Sequence, residues 1–359
     1  MFDFLNTWLT NGGFWVAIPL IIIGCAALIK GADFLVDGAS ALAKKYGVSD
    51  IVIGLTVVAF GTSMPEFVVN MVAVGQGSTE IAITNVLGSN IINIFVILGF
   101  TALIYPISSQ KSTRRFDIPF SLLAALLVLL FAVYNSPSWL QIEHIFNMNI
   151  ADPTLSDLGS IQMGQGNGGF ISGVGGSILL IFFLIFLWHN FKGIGSAPQT
   201  ESNEEYKPMS ARRALALIIG GLVGLVVGGE VIVKSATSIA QSLGVSDAII
   251  GLTVVALGTS LPELATSCMA AFKKNCDIAL GNVIGSNLFN IFFILGTSAC
   301  VKALPGYHGL EMDALMAALG SVLVMLFVYL TKKHEIKRWH GAILLLTYAA
   351  YLAYRIITL

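Results

Sequence analysis

Charged residues are scarce in this chain of 359 residues. Lys, Arg, Asp and Glu together make up 11% of it, with a net charge of −1, whereas hydrophobic residues make up 56%. An ordinary soluble domain is about a quarter charged. The deficit argues against a soluble globular protein, and apolar runs of membrane-spanning length recur along nearly the whole sequence. The composition therefore predicts an integral membrane protein.

Cysteine is also sparse, and its spacing suggests no site. The four cysteines, Cys25, Cys268, Cys276 and Cys300, form no Cys-x-x-Cys pair and mostly lie in or next to apolar segments. This pattern favours neither a disulfide framework nor a zinc site. The first ten residues lack the basic stretch of a secretory signal peptide, so we expect no cleaved signal.

The hydrophobic runs, measured against a span of about 20 residues, predict ten transmembrane helices. They lie near 14–44, 50–75, 80–105, 117–134, 171–191, 211–243, 247–272, 277–302, 313–331 and 339–357. Two longer polar connections, Asn135–Phe170 and Lys192–Ser210, are too short for a folded regulatory domain, and we expect loops there.

Basic residues predict the orientation in the membrane. With the N-terminus outside, the alternating inside loops hold fifteen Lys and Arg residues and the outside loops hold two, Lys302 and Arg355. Cytoplasmic loops are the ones enriched in Lys and Arg. Both termini are therefore expected to face away from the cytoplasm.

The chain contains an internal repeat. Shifted by 197 residues, 33–99 aligns with 230–296 without a gap, and 33 of the 67 positions are identical. The densest blocks are GVSDIVIGLTVVAFGTSMPE (47–66) against GVSDAIIGLTVVALGTSLPE (244–263), and NVLGSNIINIFVILG (85–99) against NVIGSNLFNIFFILG (282–296). The matching helices are five apart, so the copies should cross the membrane in opposite directions. In transporters, such inverted repeats enclose a substrate site at the bilayer midplane.

An intramembrane glutamate occurs at the same place in both copies. Glu66 and Glu263 each follow a Gly-Thr-Ser-X-Pro run, and an ionised carboxylate at that depth is costly without a counter-charge. The proline after each Ser-X pair cannot donate a helical hydrogen bond, so it loosens the backbone nearby. Such broken helices are tolerated where they line a cavity or bind an ion.

The second block adds polar groups on one helix face. Asn85, Ser89 and Asn93 recur every four residues, and Asn282, Ser286 and Asn290 repeat the arrangement. Carboxylates, carbonyls and hydroxyls are oxygen ligands, which suit Ca²⁺ and Na⁺ and do not suit zinc or copper. A simple kink or small-residue packing could explain either motif alone, but not a paired intramembrane glutamate. Asp33, Asp37 and Glu230 differ between the copies, and a structural or gating role is expected for them.

The paired GTSMPE…GSNIIN and GTSLPE…GSNLFN motifs resemble the two alpha-repeats of the calcium/cation antiporter superfamily, in its prokaryotic sodium/calcium exchanger branch. The resemblance covers some 134 residues and is specific, because both motifs occur twice and in register. It implies an all-α membrane protein of two inverted five-helix halves that exchanges Na⁺ for Ca²⁺ by alternating access.

The resemblance also implies the ligands. Glu66 and Glu263 would be shared by Ca²⁺ and Na⁺, with Thr62 and Thr259 joining the Ca²⁺ site. The flanking Na⁺ sites would use Ala59, Ser63, Ala256, Ser260, Ser89 and Ser286, with Asn93 and Asn290 at the centre. Some relatives carry Asp at the position of Asn290. The amide here gives the central site one negative charge fewer than in those relatives.

Three rival functions stay open. Proton/calcium antiporters usually carry an acidic residue in the second block, where this chain reads NVLGSN and NVIGSN. Potassium-dependent sodium/calcium exchangers typically place Asp where Asn290 stands. A cation channel is the rival from another class. An intramembrane enzyme is disfavoured, since the two carboxylates lack a nucleophile–base partner or a histidine cluster.

The repeat and the predicted helices together assign every part of the chain. The first half would span 1–191 with its repeat core at 33–99, a cytoplasmic linker 192–210, and the second half 211–359 with its core at 230–296. We expect a multi-pass protein of a prokaryotic inner membrane that acts as a monomer. Its partners would be Ca²⁺, Na⁺ and the bilayer, with no nucleic acid and no resident cofactor.

Overall fold

The structure is almost entirely helical. A computed structural model describes residues 3–134, 170–192, 209–244, 256–307 and 309–358. The α-helices are α1 Asp3–Tyr46, α2 Asp50–Ile53, α3 Ala59–Thr62, α4 Met64–Gly75, α5 Thr79–Ile92, α6 Leu98–Ile104, α7 Lys111–Arg115, α8 Asp117–Tyr134, α9 Gly173–Lys192, α10 Ala211–Ser242, α11 Ala256–Thr259, α12 Leu261–Phe272, α13 Cys276–Leu288, α14 Gly296–Val301, α15 Leu310–Leu330 and α16 Arg338–Thr358. Wider π-helical turns occupy Gly54–Val58, Asn93–Ile97 and Phe289–Leu295.

Eight continuous helical runs in the described residues are long and apolar enough to cross a membrane, and a bent pair brings the number to nine. The predicted segment 247–272 is described only from Ala256 onward, where it forms α11 and α12. Its beginning, like most of the two polar connections, lies outside the described residues. The class of helical multi-pass membrane protein is thus observed, and the number ten stays a prediction.

The second block of each repeat lies at the centre of the helix bundle. The run Thr79–Ile104 is 78% buried over its apolar window, and Cys276–Val301 is 94% buried. By contrast, Gly13–Tyr46 is 11% buried and Arg338–Ile357 is 17% buried, so their apolar surfaces face outward. Helices that are hydrophobic all round pack in a core or face lipid. The two polar-patterned runs are therefore enclosed by the others.

A seam of small residues joins the two longest helices, α1 and α10. A Cβ atom added to Gly31 would lie 2.8 Å from the carbonyl oxygen of Gly221, which shows how closely the backbones approach. The contacts run Gly24 against Gly228, Gly31 against Gly221 and Gly38 against Ala214. Numbers rise along α1 as they fall along α10, so the helices are antiparallel. Under the shift of 197, Gly24 is equivalent to Gly221, and Gly31 is equivalent to Gly228. The contacts Gly24–Gly228 and Gly31–Gly221 are therefore equivalent to each other.

Both predicted helix breaks are present. Ser63 separates α3 from α4, which bend by 45° at this point, and Pro65 lies in the first turn of α4. Ser260 likewise separates α11 from α12, which carries Pro262 in its first turn. Proline is tolerated in a first turn because the N–H it lacks would have no helical partner there. Each break thus starts a new helix inside the protein.

Two short antiparallel strand pairs tie the connections together. β1 (Ile107–Ser108) pairs with β4 (Glu335–Ile336), and β2 (Phe170–Ile171) pairs with β3 (Leu304–Pro305). Each pair joins a connection of the first half of the chain to one of the second half. The strands therefore link the halves outside the helical core.

Candidate cation-binding site

The two glutamates lie in the first turns of the helices that follow the breaks. Glu66 is 0% exposed in α4, and Glu263 is 1% exposed in α12. A helix N-terminus carries a partial positive charge from its free N–H groups, which favours a nearby carboxylate. The two carboxylates are close enough to repel each other. The breaks therefore supply some of the stabilisation that a buried negative charge needs, and the mutual repulsion opposes that stabilisation.

Hydrogen bonds to the glutamates cross between the repeats. Ser63 donates from its Oγ to Oε1 of Glu263 at 3.0 Å. Ser89 donates to Oε1 of Glu66 at 3.3 Å, and its Oγ lies 3.1 Å from the Oγ of Ser260. A Ser-x-x-Glu pattern at a helix start usually forms a local capping box. Ser63 makes no such cap, because its hydroxyl faces the glutamate of the other repeat.

The predicted threonines occupy different environments. Thr62 donates to Oδ1 of Asn282 at 3.1 Å and also approaches the carbonyl of Ala59 at 3.3 Å. Thr259 lies beside the carboxylate of Glu66, and its Oγ1 is buried. The carbonyl of Ala59 also accepts the backbone N–H of Ser63. Ala59 and Thr62 lie in the helical turn before the first break, and Thr259 directly precedes the second.

The remaining predicted ligands are Ser286, Ala256, Asn93 and Asn290. Ser286 lies beside the carboxylate of Glu263. Ala256 is the first residue of α11, three positions before Thr259. Asn93 is the first residue of the π-helical turn Asn93–Ile97, and Asn290 is the second residue of Phe289–Leu295; they are 1% and 0% exposed. Such turns are frequent at functional sites because they redirect side chains and backbone.

Several buried oxygens at this centre have no hydrogen-bond partner within the described part of the chain. They are Oε2 of Glu66, Oε2 of Glu263, Oδ1 of Asn93, Oδ1 of Asn290, Oγ of Ser286 and Oγ1 of Thr259. All belong to residues predicted as ligands. A buried polar atom without a partner costs free energy, and for a carboxylate the cost is large. The set consists of hard oxygen donors, the kind that Ca²⁺ and Na⁺ prefer.

Asn85 and Asn282, which helix spacing offered as further ligands, are instead hydrogen-bonded to protein groups beside this centre. Asn282 donates to the carbonyl of Glu263 at 3.2 Å and to the hydroxyl of Ser267 at 2.9 Å. Asn85 donates to Oδ1 of Asn70 at 2.7 Å. The amide of Asn282 is fully used, so it holds the helix start in position. Asn90 and Asn287 also lie here. Both copies of the repeat read Gly-Ser-Asn with these residues in third place, and this identity was the signal by which the sequence could have pointed to them.

The charged residues with a predicted structural or gating role form ion pairs. Lys273 lies 2.6 Å from a carboxylate oxygen of Asp33 and 2.6 Å from one of Asp37. Glu230 pairs with Lys234 within α10. Lys273 follows α12 directly, so its two bridges tie that helix to α1. In the described ranges, no three His, Cys, Asp or Glu side chains gather as a further metal-binding group.

The fold and these residues define a class of protein: a multi-pass membrane protein with a buried cluster of oxygen atoms between its helices. The sequence profile of the family described as sodium/calcium exchanger protein matches residues 16–192 and 213–357. The chain belongs to this family, and the resemblance inferred from its motifs is confirmed.

Individual proteins agree with the family match. The sodium/calcium exchanger MaX1 of Methanosarcina acetivorans is 33% identical over 351 residues, which cover 93% of this chain and 96% of that protein. An uncharacterized membrane protein of Methanocaldococcus jannaschii, MJ0091, is 35% identical, with 93% and 96% covered. A solved structure of the sodium-calcium exchanger NCX_Mj, soaked with 10 mM Na⁺ and 10 mM Sr²⁺, superposes with a TM-score of 0.73 at 32% identity and covers 94% of this chain and 97% of that one.

Proposed function

We propose that this protein exchanges Na⁺ for Ca²⁺ across the membrane and that both ions use one site between Glu66 and Glu263. The observation that carries the proposal is the set of buried oxygens without partners around these two carboxylates. They come from both repeats, and all are hard donors. Cations bound among them would offset the repulsion between the glutamates and satisfy the remaining oxygens.

Charge explains how one site could couple two flows. Two carboxylates carry two negative charges, which one Ca²⁺ balances, or a set of Na⁺ ions balances instead. Both sets together would leave an excess positive charge in a medium of low dielectric constant, where charge is costly. Occupation by one ion therefore excludes the other. Each return step of the protein then carries whichever ion is bound, and this produces counter-transport.

We further propose that the chain consists of two inverted five-helix halves, 1–191 and 211–359, with 192–210 as a cytoplasmic linker and the shared site at the midplane. The antiparallel contact of α1 with α10 supports this arrangement, because these helices are equivalent under the shift of 197. The crossed hydrogen bonds from Ser63 and Ser89 also support it. A site enclosed by equivalent elements could open to either side in turn.

Membrane placement belongs to the same proposal. With fifteen basic residues in the predicted inside loops, both termini would lie outside the cytoplasm in a prokaryotic inner membrane. All proposed ligands come from one chain, which is consistent with a functional monomer. The neutral amides of Asn93 and Asn290 favour Na⁺ exchange over the potassium-dependent and proton-coupled alternatives, since they bring no further charge to be balanced.

The decisive experiment is Ca²⁺ flux in proteoliposomes of purified protein. Vesicles loaded with Na⁺ and diluted into choline should take up external Ca²⁺, and vesicles with equal Na⁺ on both sides should not. Collapse of uptake by a Na⁺ ionophore supports coupling. Ca²⁺ entry that follows only its own gradient, without counterflow, identifies a channel. Uptake driven by a pH gradient without Na⁺ identifies the proton-coupled alternative.

A further inference from the structure

Four buried asparagine side chains meet where α5 contacts α13. Asn90 and Asn287 are equivalent under the shift of 197, and they are 1% and 3% exposed. Asn90 donates from Nδ2 to the backbone carbonyl of Asn287 at 3.3 Å. Asn287 donates from Nδ2 to the backbone carbonyl of Asn90 at 3.5 Å. Each residue thus binds the backbone of its own counterpart.

These backbone contacts determine the orientation of the two side chains. A backbone carbonyl can only accept a hydrogen bond, so the NH₂ end of each amide must face it. The amide oxygen of each side chain then points elsewhere and can accept. Asn93 donates from Nδ2 to Oδ1 of Asn287 at 3.0 Å, and Asn290 donates to Oδ1 of Asn90 at 3.0 Å.

The same hydrogen-bonding argument fixes the orientation of the two proposed ligands, Asn93 and Asn290. If the amide of Asn93 rotated by half a turn, its oxygen would face the oxygen of Asn287, and two acceptors would repel. Its NH₂ group is therefore held against Asn287, and its oxygen is directed away. That oxygen, like that of Asn290, has no hydrogen-bond partner in the residues described. An amide in the opposite orientation would present hydrogens, which repel a cation.

We propose that Asn90 and Asn287 are positioning residues, which hold the amides of Asn290 and Asn93 with their oxygens toward the transported cation. The inference rests on the proposed function, since it assigns how two of the proposed ligands are oriented. The dependence is crossed: Asn287 acts through Asn93, and Asn90 acts through Asn290. Neither positioning residue needs to touch the ion.

The crossed arrangement permits a matched test by double-mutant cycles. Ca²⁺ affinity is measured by equilibrium binding of radioactive Ca²⁺ to the full-length protein in detergent without Na⁺. Asn287→Ala should weaken Ca²⁺ binding by about tenfold, the size common for residues that orient metal ligands. When Asn93→Ala is already present, adding Asn287→Ala should weaken binding by less than about twofold, because the amide it orients is gone.

The control uses the other ligand. In the presence of Asn290→Ala, adding Asn287→Ala should still weaken binding by about tenfold, since Asn290 is oriented by Asn90. The mirror cycle, Asn90→Ala with Asn290→Ala and then with Asn93→Ala, should give the reverse pattern. This mirror cycle tests the proposal independently if one of the first variants fails to fold. Thermal unfolding without ions records any general loss of stability.

The outcomes are distinct. Coupling within the pairs 93/287 and 290/90, and additivity in the crossed pairs, supports the proposal. Equal losses in all backgrounds, or a lowered melting temperature with unchanged Ca²⁺ affinity, overturns it while leaving the proposed exchange intact. Absence of Ca²⁺ binding by the unaltered protein overturns the proposed function and this inference with it.

Discussion

Ser63 donates a 3.0 Å hydrogen bond to Glu263, a residue 200 positions further along the chain. The hydroxyl belongs to the first broken helix and the carboxylate to the second. Any movement that separates the two breaks must lengthen this bond. The contact therefore connects the binding chemistry directly to the relative position of the two repeats.

Removal of this hydroxyl should weaken the site. In Ser63→Ala, one oxygen of Glu263 loses its donor, and a hydrogen bond to a charged group contributes about 1.5 kcal/mol or more. We expect about a tenfold rise in the Na⁺ concentration that half-saturates exchange. Ser260→Ala is the matched comparison, because Ser260 contacts Ser89 and, among the described residues, forms no hydrogen bond to a carboxylate. An equal or larger effect in Ser260→Ala would show that the loss in Ser63→Ala does not come from the hydrogen bond to Glu263.

Neutralising either glutamate should abolish exchange. Glu66→Gln and Glu263→Gln keep the shape of the side chain and remove half the fixed charge at the proposed site. We expect Na⁺-driven Ca²⁺ uptake to fall to background, with the protein still inserted and folded. Glu80→Gln is the control, because Glu80 is an exposed glutamate in the first turn of α5. Exchange close to normal in either buried variant would remove the basis of the proposed site.

Exchange should not require K⁺. Asn290 supplies an amide oxygen without a charge, and Asn93 is also neutral, so the two glutamates provide the fixed charge of the centre. An additional monovalent cation has no carboxylate to balance there. Na⁺-gradient-driven Ca²⁺ uptake should be unchanged when choline replaces K⁺ on both sides. Loss of most activity without K⁺ would assign the protein to the potassium-dependent branch.

The topology can be read with impermeant thiol reagents. In a variant without Cys25, Cys268, Cys276 and Cys300, a cysteine at Asp157 should react on intact cells, and one at Asn203 should not. Both positions lie outside the described residues, in the two long connections. Basic residues near the second connection favour its cytoplasmic placement. The reverse labelling pattern would invert the orientation and leave the repeat itself unaffected.

The glycine seam should be sensitive to a single methyl group. Gly31→Ala would bring a Cβ atom to 2.8 Å from the carbonyl oxygen of Gly221, so α1 and α10 would have to separate. Overpacking of this kind costs about 1–3 kcal/mol. We expect a lower melting temperature in detergent. Gly220→Ala, where the added atom has nothing within 4 Å in the described residues, should leave the melting temperature unchanged. Equal melting temperatures for the two variants would argue against a close helix contact at Gly31.

Much of the protein follows from the sequence alone. The scarcity of charge identifies a membrane protein, and the shift of 197 reveals the repeat and the paired Glu66 and Glu263. These features depend on composition and local spacing, which the chain carries in itself. The breaks before Pro65 and Pro262 were predictable for the same reason, because a proline removes a helical donor wherever it stands.

Which polar atoms meet depends on how the helices pack against one another. Sequence spacing puts Asn85, Ser89 and Asn93 on one helix face. It cannot distinguish a residue that could bind an ion from one that only holds neighbouring helices in position. The partners of Asn90 and Ser63 lie some 200 residues away, and the rotation and depth of the facing helix select them. Those follow from close packing, at contacts such as Gly31 on Gly221, where a change of a few tenths of an ångström alters which atoms touch. Local sequence patterns set each helix, and the packing of helices against one another set the site.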